Sequence, residues 1–203
     1  MSNRSYQSAA KKYTPARTSL LFIAESPPLS LDRYFYFERV ERGDWLWIAL
    51  MKALYESEWK VTREERKRKP YWLRRFQNDH CLLIDAVKEP ICGTQKQRVA
   101  RINRTAGDLL KEVKKIGPKR IVLIKATVHH ALFQEFKDNG LNVINNNPLP
   151  FPARHARKFA DQFRELMPEL KPILGKGGGV DSRFHPVEIR GEPLSMTILR
   201  ERR

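Results

Sequence analysis

Cysteine is nearly missing from this chain. Cys81 and Cys92 are the only two in 203 residues, which excludes a disulfide scaffold and an iron–sulfur cluster held by cysteines alone. A reducing cytoplasm is the compartment this implies. Long apolar runs are missing too, since no stretch approaches the ~20 residues of a membrane-spanning helix. The N-terminal MSNRSYQSAAKKYTPAR lacks the apolar region of an export signal. A soluble, unexported protein is therefore expected, with no membrane partner, and associated with the nucleoid if the source is a bacterium or an archaeon. Acidic residues are outnumbered: 23 Asp and Glu stand against 39 Lys and Arg, a net charge of +16. Such a field attracts polyanions, with nucleic acid, and DNA above all, as the first partner to consider and an anionic membrane surface as the second. Solvated faces and tails produce the same balance, so motifs must decide.

What is present is an alternation of apolar runs and amphipathic segments. Leu20-Leu21-Phe22-Ile23-Ala24 reads as a strand buried on both faces, ending at Ser26-Pro27-Pro28. Asp44 is a candidate N-cap for a helix whose apolar stripe is Trp45, Ile48, Ala49, Met51 and Leu54. Residues Thr62 to Arg75, crowded with Lys and Arg around Tyr71 and Trp72, suggest a solvated helix or loop rather than core, and one candidate nucleic-acid surface. Cys81-Leu82-Leu83-Ile84-Asp85 is a second buried strand, broken by one carboxylate. Leu109, Leu110, Val113 and Ile116 make a helix stopped by Gly117-Pro118; Ile121 to Ile124 form a third strand; Thr127 caps the helix after it. Val143-Ile144 starts a short fourth strand, and a last helix carries Phe159, Phe163, Leu166 and Met167 on one face.

This order predicts a three-layer α/β/α fold with a mostly parallel, four-stranded central sheet. The expected organisation is a polar leader over 1–17, an α/β domain over 18–172, and a Gly-rich linker with a basic tail over 173–203. Val187 to Arg190 and Met196 to Leu199 in that tail have the pattern of a β-hairpin. In open parallel sheets ligands bind at the carboxyl ends of the strands. The loops Glu25 to Phe37 and Asn145 to Phe151 both leave such ends, and Asp85 sits near a third.

Ala24-Glu25-Ser26-Pro27-Pro28 and Asn147-Pro148-Leu149-Pro150 are proline-stiffened loops, and either alone is equally a rigid turn. Together they resemble the two signature motifs of the uracil-DNA glycosylase superfamily. In that family the first motif reads Gly-Gln-Asp-Pro-Tyr, Gly-Glu-Ala-Pro-Gly or Gly-Met-Asn-Pro-Gly in different branches, and Pro27 keeps the proline in register. The second, His-Pro-Ser-Pro-Leu-Ser, is similar to Asn147 through Pro152. The resemblance covers roughly Leu20 to Leu166. It implies that an aromatic from Tyr34-Phe35-Tyr36-Phe37, with Phe35 and Tyr36 as candidates, stacks on a flipped base. It also implies that Asp85, at the end of Leu82-Leu83-Ile84, stands where the family reads the base with Asn. Phe151 occupies the place of the apolar wedge that keeps the base out of the duplex.

The departures bear on chemistry. Ser26 stands where the most active branch has Asp and supplies no anion, and Asn147 replaces a His with an uncharged amide. Glu25 is a candidate for the missing anion, although neighbours on an extended chain point to opposite sides. An ionised Asp85 only accepts hydrogen bonds, so it disfavours uracil and suits a donor-rich edge such as that of cytosine or adenine. The alternative for Asp85 is a carboxylate paired with a nearby Lys or Arg. Arg154, His155, Arg157 and Lys158 open the last helix as a phosphate site or, equally, as a solvated turn. His129-His130 lacks a third ligand, so no metal and no cofactor are expected.

Three functions remain open at this point. The first is a monomeric, metal-free glycosylase-like protein that binds nucleic acid, flips a base other than simple uracil into a crevice and hydrolyses its N-glycosidic bond. The second is a binding module on the same fold without efficient chemistry. The third is an unrelated α/β protein acting on a small phosphorylated ligand.

Overall fold

Three short apolar runs form the three strands of one parallel sheet: β1 (Leu20–Ala24), β2 (Cys81–Asp85) and β3 (Arg120–Leu123), in the order β2-β1-β3. The structure is a computed structural model, and it describes residues 2–30, 33–39, 43–172 and 174. Central β1 has no polar residue and is buried along its whole length, as a strand covered on both faces must be. Phe22 pairs with Leu83 on one side and Val122 on the other.

Seven helices stand among the described residues: α1 (Ser2–Lys12), α2 (Trp45–Leu54), α3 (Arg63–Lys67), α4 (Lys69–Asn78), α5 (Gln95–Ile116), α6 (Ala126–Asp138) and α7 (Pro152–Leu170). Alternate residues of β1 feed two separate cores. Leu20, Phe22 and Ala24 pack with α1, α2, α4 and α7; Leu21 and Ile23 pack with α5 and α6. Phe22 stacks on Phe76 of α4 and Phe163 of α7, with ring centroids 5.8 and 6.2 Å away. Each such buried ring contributes roughly 1.5–3 kcal/mol of transfer free energy.

Several local expectations hold. Asp44 caps α2, accepting from the Trp47 amide at 3.2 Å. Gly117 ends α5 as expected, at φ 61°, where a Cβ would be strained; the capping box of Thr94 and Gln97 at the other end of that helix went unread in the sequence.

Other expectations need correction. Val143 and Leu149 touch β3's side of the sheet only in isolated bridges, to Ile121 and Ile124, so the fourth strand does not form as a ladder. The Asn145 carboxamide takes its place. It accepts from the Leu123 amide at 2.9 Å and donates to the Leu123 carbonyl at 3.0 Å. The segment 62–75 is not simply solvated, because Trp72 and Leu73 of α4 are buried, as is Phe76 just beyond the segment, and Lys69 is 0 % exposed. The region read as a polar leader forms α1, and Tyr6 and Tyr13 lie in the core beside the aromatic loop after β1. The linker and hairpin read after residue 174 lie outside the described residues.

Candidate functional site

The connection after β1 runs to α2 on one face of the sheet, and that after β3 runs to α6 on the other. Where adjacent strands part in this way a crevice opens at their carboxyl ends. It has a volume of about 350 Å³. Glu25, Ser26, Pro27, Phe35, Asp85 and Phe151 all line it, so six residues singled out in the sequence converge there.

Glu25 is buried at the end of β1 and fully engaged. Oε2 accepts from Arg98 at 2.6 Å and from Lys125, and Oε1 accepts from the Thr127 hydroxyl at 2.6 Å. Burial alone would raise this carboxyl. Hydrogen bonds from Lys125 and Thr127, with the charges of Lys125 and Arg98, outweigh it and hold the group below the usual range. The Glu25 carboxylate is therefore favoured over the acid, and its partners are already chosen. Thr127, expected as a helix cap, spends its hydroxyl on Glu25, and α6 begins at Ala126 with Lys125 in the N-cap position and no side-chain cap. Lys125 has φ 84° and ψ 139°, a backbone conformation that L side chains rarely adopt. Its ammonium lies 5.9 Å from the centre of the Phe151 ring.

Asp85 ends β2 and is 7 % exposed. Burial pushes its carboxyl up to about 7, opposed only in part by Lys88, whose ammonium pairs with Glu112 at 2.8 Å. Among the described residues none donates a hydrogen bond to the Asp85 side chain, so the alternative of a directly paired carboxylate does not apply. Near neutral pH the group is divided between an anion and an acid, and the acid both donates and accepts. The carboxyl also borders a second hollow of about 500 Å³ between α1, β2 and α5, lined in part by Tyr6, Lys11 and Lys115.

The crevice wall opposite β2 is held from behind. Lys69 of α4, sealed from solvent, donates to the Tyr34 carbonyl at 3.1 Å and to Asp44 Oδ2 at 3.0 Å. Burial lowers its pKa and the Asp44 carboxylate restores part of the loss. Tyr34, Phe35, Asp44 and Trp45 all face the crevice.

Some sequence candidates lie elsewhere. Tyr36 does not line the crevice; it is buried, with its hydroxyl on the Leu83 peptide of β2. Asn147 is exposed, and its carbonyl accepts from Asn145 at 3.1 Å. Asn147 is therefore not among the residues that line the crevice, and the nearby buried Asn145 is occupied with β3. Arg154, His155, Arg157 and Lys158 line a separate shallow hollow on the first turns of α7, which His155 interrupts with φ −134° and ψ 41°. His129 places Nε2 3.1 Å from the Asn145 carbonyl, which requires a proton on that nitrogen, and stacks on Phe133.

Arg98, Lys125, Thr127 and Trp45 escaped sequence reasoning as site residues. Lys125 follows the carboxyl end of β3, and the rule that drew attention to Glu25 applies to it equally. Arg98 carries no such signal, being 73 residues from its partner. No protein-family model matches the chain, and no curated protein matches it.

Proposed function

We propose that this chain is a nucleic-acid-binding protein of uracil-DNA glycosylase-like fold that takes a single unstacked base into the crevice at the carboxyl ends of β1, β2 and β3. The observation that carries the reading is the convergence of the Glu25 to Pro28 loop, Phe35, Asp85 and Phe151 on one cavity of about 350 Å³ in a protein of net charge +16. These are the places the family resemblance assigns to the first motif, the stacking aromatic, the base reader and the wedge. Three layers around a parallel sheet support the same resemblance.

In this reading Phe35 packs against the base and Asp85 meets its polar edge. Neutral Asp85 offers a hydroxyl donor and a carbonyl acceptor, the pair an amide would offer, whereas the anion offers acceptors alone. The base preference therefore depends on pH, and the donor-rich edge expected for an ionised Asp85 applies on the alkaline side of about 7. Glu25 is better suited to holding Arg98 and Lys125 at the cavity wall than to attacking or activating water, because both of its oxygens are engaged. Those cations, with Arg154, Arg157 and Lys158 beyond Phe151, supply the attraction for phosphates.

A second reading, hydrolysis of the N-glycosidic bond, is favoured by one observation. A carboxyl held near 7 inside a cavity is matched to general acid–base work at neutral pH. The two readings separate in one experiment. Single- and double-stranded oligonucleotides carrying uracil, hypoxanthine, xanthine or a thymine mismatch are incubated with the protein, with binding followed by anisotropy against salt and abasic sites by alkaline cleavage. Salt-sensitive binding that prefers one modified base supports the base-binding reading. Abasic sites that disappear in Asp85→Asn support hydrolysis. Failure of every oligonucleotide to bind at low salt refutes both.

A further inference from the structure

Four large apolar side chains are strongly exposed among the described residues: Leu29, Trp45, Val61 and Phe151. Three of them, Leu29, Trp45 and Phe151, border the same crevice, though they come from the loop after β1, the first turn of α2 and the loop before α7. Exposed apolar side chains scattered singly need no explanation, but three gathered on one rim do. Trp45 is the most informative. The sequence stripe places it in the core, yet it is 50 % exposed, while Trp47, Trp59 and Trp72 are 1 %, 2 % and 3 % exposed.

The mount beneath Trp45 is rigid. It follows Asp44 directly, and that carboxylate is fixed by the Trp47 amide and by the buried Lys69. The indole runs along the preceding turn, since a Cβ built on Gly43 would stand 3.7 Å from its Cζ2. A large, flat and pre-positioned ring is therefore presented beside a cavity with room for about one nucleoside. Basic residues surround the rim: Arg98 and Lys125 stand in the cavity wall, and Arg154, Arg157 and Lys158 follow Phe151. An apolar protein or lipid partner would have to desolvate those cations, whereas a nucleic-acid strand offers phosphates to the cations and flat bases to the rings.

Resting on the nucleic-acid reading above, we propose that Trp45 is a stacking platform for a nucleotide adjacent to the one held in the crevice, and that the protein engages single-stranded nucleic acid in preference to duplex. In a duplex the neighbouring bases are already stacked and paired, so the exposed indole gains nothing from them. In a single strand each base has a free face, and the ring can take it without regard to sequence.

The test uses the full chain and a fluorescein-labelled single-stranded oligodeoxynucleotide, alone and annealed to its complement. With the other three tryptophans buried, acrylamide-accessible emission comes from Trp45. Bound single strand is expected to protect that emission, and Trp45→Ala to weaken single-strand binding about ten-fold with little change for duplex. Trp45→Phe should restore most of the affinity, and circular dichroism should report an unchanged fold for an exposed side chain. Bound strand that leaves Trp45 equally quenchable overturns the proposal and leaves the nucleic-acid reading standing, as does Trp45→Ala weakening both forms alike. Absence of any oligonucleotide binding overturns both.

Discussion

The Tyr36 hydroxyl sits on the Leu83 peptide, accepting from its N–H at 2.8 Å and donating to its C=O at 3.0 Å. Leu83 is the middle residue of β2, an edge strand, so one phenol replaces the neighbouring strand at that point. Asn145 does the same for Leu123 of β3 at the opposite edge, between the backbone bridges that Val143 and Leu149 make to Ile121 and Ile124.

Removing the phenol oxygen leaves the Leu83 amide and carbonyl buried without that partner. Tyr36→Phe is expected to cost about 2 kcal/mol in urea unfolding, because an unmet buried polar group is more expensive than a lost hydrogen bond. A change below about 0.5 kcal/mol would show that water serves the edge equally well.

Asp85 links stability to pH with a definite sign. Its folded value of about 7 lies above the 3.8 of an unburied aspartate, so the folded state binds the extra proton and stability falls as pH rises between the two. Asp85→Asn removes this dependence. The substitution should be about 2 to 3 kcal/mol more stabilising at pH 8 than at pH 5. Parallel stability curves for the two proteins across that window would contradict the raised value.

Lys125 combines an ion pair with a strained backbone, and two variants separate them. Both Lys125→Ala and Lys125→Gly lose the contact with Glu25, but only glycine is at ease at φ 84°. The glycine variant should be the more stable by about 1 kcal/mol in thermal or urea unfolding. Equal stabilities would mean that this backbone relaxes without cost.

Tyr13 tests whether α1 belongs to the core. It is buried, stacks on Tyr36 at 6.3 Å and donates to Glu38 at 2.6 Å. Tyr13→Ala should cost about 3 kcal/mol in urea unfolding, and Tyr13→Phe about 1 kcal/mol. An unaffected unfolding midpoint for the alanine variant would return the segment to the status of a dispensable leader.

What could be read from the sequence followed how local the cause was. β1, β2 and β3 were legible because a strand buried on both faces must be apolar throughout, and Asp44 and Gly117 because caps act within one turn. Val143-Ile144 looked like a strand by the same logic, but Asn145 ends the pairing with its side chain, and only the position of Leu123 reveals that. α1 was obscured because its core contributions are tyrosines within a polar segment. In α4, Trp72, Leu73 and Phe76 have helical spacing, but the basic residues among them give the segment the composition of a solvated helix. At the site, the carboxyl-end rule located Glu25 and Asp85, yet it could not say that Glu25 was already committed to residues 73, 100 and 102 positions away. The aromatic run showed that a ring was available near the crevice. Which ring faces it, Phe35 rather than Tyr36, depended on the β2 edge that Tyr36 serves.

Lys69 separates the shape of the crevice from the charge on its rim. Dissolved ions screen charges that water reaches, and this ammonium is sealed between Asp44, the Tyr34 carbonyl and the Trp47 ring, 5.2 Å from its centre. Ionic strength that screens the exposed cations of the rim therefore leaves the wall standing. The cavity keeps its form in concentrated salt, so a group that fits it by shape rather than by charge meets the same walls at any ionic strength.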